Sequence, residues 1–317
     1  MQHLFKGIAL AICTATPILA QDYPTGTVTM VVPYAPGGNN DVMIRQLAPY
    51  LEEKWGHPVI VDNRPGGGSM VGTAFVAQAN PDGHTLLVNS SAHVTAPAIY
   101  PDLPFDPMTD LVPIANVGHV SYLLVTRADA GYESLDDFIK TSMESPKFAA
   151  TAGLGTTTHF AMEKFIAQTG ADVDVVHFKG GAPAVVAILS GEADIYTASY
   201  SSSAEYLKNG QLKALAVIGP ERIAAMPDVP STLELGFPEV DTQQWIGIFG
   251  PKGIDPAIVA KISADVNAAL NQPDLITFME RLDLTPRQST PEAFLAQIAT
   301  EMPAWKELAQ QRGISAE

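Results

Sequence analysis

Five short turns hold most of the residues whose type and spacing could do chemistry: 35–41, 89–92, 153–159, 179–183 and 199–203, all rich in Gly, Ser, Thr or Asn. Each sits where an apolar β-rich run gives way to helical spacing. Unpaired amides at a helix start carry partial positive charge, and glycine lets that backbone come close to an anion. The chemistry on offer is therefore the holding of anions by neutral donors. No lysine or arginine adjoins 35–41, Arg45 lies one turn into the following helix, and Lys179 is the one cation beside such a turn. The competing reading of any single turn is an ordinary one, its amides capped by its own side chains such as Asp41 or Thr158. Paired turns on two lobes favour binding.

Motifs for covalent chemistry are absent. The chain has no G-x-S-x-G elbow, no Walker A loop, no H-E-x-x-H and no C-x-x-C. The stretch Gly66-Gly67-Gly68-Ser69-Met70-Val71-Gly72 misplaces the last glycine of a dinucleotide fingerprint. The seven histidines lack metal-ligand spacing, so neither a metal nor a cofactor is expected. An enzymatic alternative, a secreted α/β enzyme acting on a small acid, would have to use His159 with Asp41. A ligand-sensing partner of a signalling system would use the same pocket as a receptor.

The elements that must position these turns follow a repeated grammar. Val28–Tyr34 reads as a strand and Val42–Trp55 as a helix ended by Gly56. Pro58–Asp62 and Leu86–Val88 read as strands, with a helix near Val71–Ala79 between them. A Pro-rich connection, Pro101–Pro113, precedes a second block. There Val120–Thr126, Phe148–Ala152, Val173–Phe178, Ile195–Ala198 and Ala214–Ile218 are strands, and Ser134–Ser142, Phe160–Gln168 and a segment through Leu189 are helices. Trp245–Pro251 reads as a strand crossing between lobes, and helices open at Pro256, Pro273 and Pro291. Alternating β and α with short links predicts two α/β lobes with mainly parallel sheets around a central cleft. Residues 21–120 and 246–317 make lobe 1, and 121–245 lobe 2. In such sheets the strand-to-helix turns line the ligand crevice.

Composition bounds the partners. Of 317 residues 46% are hydrophobic and 16% charged, enough apolar content for a sizeable core. The net charge of -16 repels nucleic-acid phosphates, so no nucleic acid is expected. Residues 1–20 carry Lys6, an apolar run and a small residue at Ala20, the order of a secretory signal peptide. Cleavage there would remove Cys13, the only cysteine, and export the protein. Nothing in the apolar pattern demands a dimer, so a monomer is expected.

Several motifs resemble those of the extracytoplasmic receptors of tripartite tricarboxylate transporters, the Bug receptors. They are Val31-Val32-Pro33-Tyr34-Ala35-Pro36-Gly37-Gly38 with Asp41, Val61-Asp62-Asn63-Arg64-Pro65-Gly66-Gly67 and Pro81-Asp82-Gly83-His84-Thr85-Leu86. His177-Phe178-Lys179-Gly180-Gly181-Ala182-Pro183-Ala184, Gly210–Val217 and Pro227–Thr232 extend the likeness to nearly the whole chain. The resemblance implies a type II periplasmic-binding-protein fold that closes around a carboxylate ligand and delivers it to integral-membrane transporter subunits. It implies contacts, commonly through water, from Tyr34, Ala35, Pro36, Gly37, Gly38, Asn39, Asn40 and Asp41, and from Gly153, Gly155, Thr156, Thr157, Thr158 and His159. Ser90 and Ser91 are nearby contributors, and Lys179, Ser199 and Tyr200 complete the candidate site. Asn39-Asn40 replaces a common Gly-Thr, and Ala198-Ser199-Tyr200 replaces a segment that often holds Asp-Asn. Tyr200 is thus expected to widen and flatten the site, which would suit an aromatic dicarboxylate such as terephthalate alongside a C4–C6 aliphatic diacid.

Overall fold

The computed structural model describes residues 23–66, 69–100, 102–281 and 283–315. The expected signal segment, with Cys13, lies outside the described residues, as do Gly67, Gly68, Pro101 and Leu282.

Val28–Val32 (β1) is buried at every position but Thr29, as a parallel strand covered on both faces must be. It feeds Asn39–Trp55 (α1), which stops where Gly56 takes φ 67° and returns its amide to Glu52. The unit repeats in Val59–Asn63 (β2) with Met70–Ala77 (α2), and in Thr85–Ser90 (β3) with Ala92–Ile99 (α3). The chain then enters Leu111–Val120 (β4) and, after the single residue Ser121, Tyr122–Arg127 (β5). Next come Leu135–Glu144 (α4), Lys147–Thr151 (β6), Thr157–Thr169 (α5), Val173–His177 (β7), Gly181–Ser190 (α6), Ile195–Ser199 (β8), Tyr200–Lys208 (α7) and Leu212–Ile218 (β9). The last part comprises Gln244–Pro251 (β10), Pro256–Ala269 (α8), Pro273–Arg281 (α9), Leu284–Pro286 (β11) and Pro291–Arg312 (α10).

These strands form two sheets, ordered β11-β4-β10-β3-β1-β2 and β7-β6-β8-β5-β9. Each is mixed. The parallel cores β3-β1-β2 and β7-β6-β8 are extended by antiparallel strands, β10, β4 and β11 in one sheet and β5 and β9 in the other. Both antiparallel additions contain the segments that pass between the sheets, at Ser121 and just before Gln244. The two crossings lie side by side because β4 and β10 pair with each other, Val120 opposite Gln244, although β5 follows β4 after one residue and β10 follows β9 only after residues 219–243.

Several elements depart from expectation. The Pro-rich connection ends sooner than predicted, because Pro113 lies inside β4. It sits opposite Phe249 where the register shifts, an irregularity that accommodates a residue without an amide donor. The short helix α3, interrupted in sequence by Pro97, and the three-residue β11 had no local signal. The serine cluster 199–203 is the first turn of a helix, because Ser199 accepts from the Ser202 amide as N-cap.

One core joins Met30, Leu47, Leu51 and Leu86 to Ile262, Val266 and Met279, so the C-terminal helices pack on the first sheet. The second sheet is buried on both faces, by Phe138 and Phe165 on one side and Val185 and Ile188 on the other. A fourth cluster brings Phe160 of α5 against Trp305 of α10, tying the lobes together. Close packing of α10 requires Gly247, whose added Cβ would lie 2.4 Å from Phe294 Cζ. Gly247→Ala is therefore expected to cost about 1–3 kcal/mol in urea unfolding. Combining it with Phe294→Leu should cost less than the sum of the two single changes.

Candidate functional site

All five turns singled out in the sequence open onto one cavity of about 830 Å³ between the lobes. They lie at the carboxyl ends of parallel strands β1, β3, β6, β7 and β8, the edge where open α/β sheets place ligands. From the first lobe come Tyr34, Ala35, Pro36, Gly37, Gly38, Asn39, Asn40 and Ser90. The second lobe contributes Thr156, Thr157, Thr158, Lys179 and Ser199. Lys179 is the one charged side chain in this lining.

The helix starts at this cavity differ in how they are capped. Thr156 caps α5 by accepting from the His159 amide, and Ser199 caps α7. By contrast, Gly38 and Gly180, the N-caps of α1 and α6, offer no side-chain hydrogen bond. The first-turn amides of α1 and α6 thus keep their donor capacity on opposite lobes, while α3, whose N-cap Ser91 makes no side-chain cap bond either, has its Ala92 amide given to Ser90 Oγ at 3.3 Å. Gly38 and Asn39 enter this account because α1 begins at Asn39, three residues before the apolar spacing indicated. The amide of Gly37, at φ 87°, is already given to Asp41 Oδ2 at 2.9 Å.

Asp41 does not line the cavity. It is 3% exposed and organises the turn from behind, accepting also from Arg45 Nε and from Asn63 Nδ2, each at 2.9 Å. Burial alone would raise its carboxyl, but hydrogen bonds from Arg45, the Gly37 amide and Asn63 hold it below the ordinary range. Asn63 Nδ2 also donates to the Tyr34 carbonyl, so one amide side chain fixes both ends of the turn.

Five other candidates also fall outside the lining. Ser91 shares a 2.9 Å hydrogen bond with Thr157 across the lobes. Gly155, at φ 72°, packs directly on Ile99 of α3, where a Cβ would lie 2.0 Å from Ile99 Cδ1. Gly153 uses its carbonyl to hold the Thr156 amide and hydroxyl. His159 is 3% exposed, accepts from the Gly155 amide at Nδ1, and lies 3.5 Å from Glu163, which pairs with Arg312 at 2.6 Å. Tyr200 corrects the expectation most sharply: in the first turn of α7 it is buried in the second-lobe core with Ala184, Ile188 and Val217. His159 and Asp41, the acid/base candidates, thus spend their polar atoms on structural partners.

Aromatic walls come instead from Tyr122, Tyr196 and Tyr34. Burial raises all three phenols above their ordinary range, so they stay neutral. Tyr34 Oη donates to Asn89 Oδ1 at 2.7 Å and lies 2.8 Å from Ser90 Oγ. Tyr122 Oη donates to Gln244 Oε1 at 2.6 Å, which leaves the Gln244 amide nitrogen as a donor. Ser201 Oγ donates to Asn39 Oδ1 at 3.3 Å, a direct bond between the lobes. The sequence reading missed Tyr122, Tyr196 and Gln244 as lining residues, and from the turn 199–203 it singled out Ser199 and Tyr200 where Ser201 and Ser202 also face the cavity. The serine cluster and the Gly180–Pro183 motif were the available signals, whereas Gln244 carried none. Among the described residues no group of three or more His, Cys, Asp or Glu side chains is placed to hold a metal ion.

Residues 43–314 match the family described as the tripartite tricarboxylate transporter family receptor. Protein BugT of Bordetella pertussis is 35% identical over 320 residues, covering 99% of this chain and 98% of BugT. The structure of R. palustris Rpa4515 with adipate aligns at TM-score 0.84 and 28% identity, covering 93% of this chain and 99% of that one. MatC (Rpa3494) from Rhodopseudomonas palustris, with bound malate, aligns at 0.79 and 31%, covering 90% and 99%. The two lobes are a type II periplasmic-binding-protein-like fold.

The lowered Asp41 pKa fixes the sign of a pH effect. A depressed carboxyl contributes stability above its unfolded value, ordinarily 3.8, and loses it as pH falls through the folded value. Asp41→Asn should cost about 1–3 kcal/mol at neutral pH. The gap between variant and wild type should close below pH 3.8, as followed by denaturant unfolding at each pH.

Proposed function

The chain belongs to the tripartite tricarboxylate transporter receptor family, transport receptors rather than enzymes, and from that premise we propose that it captures an organic di- or tricarboxylate. The observation that carries this reading is the pair of uncapped helix starts, α1 and α6, facing one cavity from opposite lobes. Each end of a doubly charged ligand meets unspent amides, and Lys179 adds one formal charge at the second-lobe end. Neutral amides and hydroxyls discriminate by the number and direction of donors rather than by bulk attraction. The relatives seen with adipate and malate support a C4–C6 aliphatic diacid. The three neutral phenols support an aromatic diacid such as terephthalate, in the place expected of Tyr200.

In this reading residues 1–20 export the protein to the periplasm, where it works as a monomer and hands its ligand to the membrane subunits. Residues 21–120 with 246–317 move as one lobe and 121–245 as the other, about the crossings near Ser121 and Gln244. The ligand stabilises the closed form through its contacts with both lobes.

A thermal-shift panel of adipate, malate and terephthalate, each against its monoamide, tests the reading. At 100-fold excess over Kd the right diacid adds about 2.7 kcal/mol, a rise of about 4 °C in Tm for a chain of this length. Equal shifts from diacid and monoamide would defeat the two-carboxylate reading. A second outcome concerns Gly38, which has φ -77° and open space at its Cβ position apart from Ala35 O at 3.8 Å. Gly38→Val should keep the Tm of the free protein yet weaken diacid binding about tenfold, as read by calorimetric titration.

A further inference from the structure

Most polar side chains in the ligand cavity are committed to one another. Tyr34 bonds with Asn89 and Ser90, and Thr156 and Thr158 bond with each other and with the backbone of their own turn. Asn39 and Lys179 keep donors, but they stand beside the helix starts that serve the two ends of a diacid. Gln244 stands at neither. It opens β10, which β3 separates from β1, and it bonds to Tyr122 of β5, which β8 and β6 separate from β7. Since α1 follows β1 and α6 follows β7, Gln244 faces the stretch of cavity between the two helix starts.

Its side chain is held in one orientation. Tyr122 is 2% exposed, and its phenol, kept neutral by burial, donates to Gln244 Oε1 at 2.6 Å. The carbonyl end of the amide is thereby fixed on the protein. Gln244 Nε2 makes no hydrogen bond among the described residues, yet it is not one of the atoms sealed away without a partner. On a half-buried residue of the cavity wall, it presents two hydrogens and no acceptor.

Water takes those hydrogens while solvent fills the cavity. A ligand that displaces the water must bring an acceptor in its place or strand the donor, and a stranded donor costs more than the bond would gain. Sites built round such a group reject analogues that lack the matching atom far more strongly than an apolar wall rejects an added one.

We propose that Gln244 is a specificity-determining residue of this cavity, with Tyr122 as the residue that orients it. Gln244 selects acids that carry a hydroxyl or carbonyl oxygen on the chain or ring between their two carboxylates, over the unsubstituted acids of the same length. The inference rests on the two-carboxylate reading and narrows it.

Calorimetric titration of three matched pairs tests it: malate with succinate, 2-oxoglutarate with glutarate, and 2-hydroxyterephthalate with terephthalate. In the pair that fits the cavity, the oxygen-bearing acid should bind about tenfold tighter or more. Gln244→Met keeps an unbranched side chain of similar length without the donor, and should bring the two acids within about twofold of each other. Tyr122→Phe removes one buried oxygen, keeps the ring's packing and releases the amide to turn, and should shrink the preference about threefold or more. Equal affinities within every pair in the wild type, or a preference unchanged in either variant, would overturn the proposal and leave the two-carboxylate reading standing. Failure of all six acids to bind, or diacids that bind no tighter than their monoamides, would overturn both.

Discussion

The molecule is organised around donors that it declines to satisfy. A helix start surrounded by Ser and Thr usually closes on itself, and α5 and α7 do so through Thr156 and Ser199. At α1 and α6 glycine stands at the N-cap, and no side chain competes for the first-turn amides. Water covers such amides cheaply, so leaving them open costs the free protein little. A carboxylate replaces that water with a charge-assisted bond at each end. The rest of the fold serves to bring these two starts to one cavity and keep their backbones still.

That stillness is built from behind. Asp41 takes no part in lining the cavity, yet it accepts from Gly37, Asn63 and Arg45, while Asn63 reaches the Tyr34 carbonyl. A buried carboxylate is thereby kept charged and fully engaged, and Arg45 offsets its charge. The second lobe uses no charge for the same purpose, interlocking Thr156 and Thr158 at 2.9 Å and closing the turn onto Gly153 and Ala152. Between the lobes, Phe160 on Trp305, Gly155 on Ile99 and Glu163 with Arg312 make contacts that any opening motion must release or slide.

The strand-to-helix grammar was legible because it is written in contiguous residues: an apolar β-rich run, a Gly-rich turn, then helical spacing. All five turns read that way do meet at the cavity. What could not be read depends on pairing between distant segments. Gln244 enters the site only because β10 crosses between lobes and pairs with β4, and Tyr122 because β5 follows it after one residue. Tyr200 misled because α7 begins one residue into the expected turn 199–203, with Tyr200 as its first residue and its ring in the core. Pro113 misled in the opposite direction, since a proline at a register shift does not end a strand.

Ser201 and Asn39 bond directly across the cleft, and Ser91 meets Thr157 in the same way. Contacts of this kind reward closure whether or not cargo is aboard. They narrow the contrast between vacant and laden receptors for any partner that senses shape alone. Faithful delivery then requires the partner to tell them apart by some quantity other than the angle between the lobes.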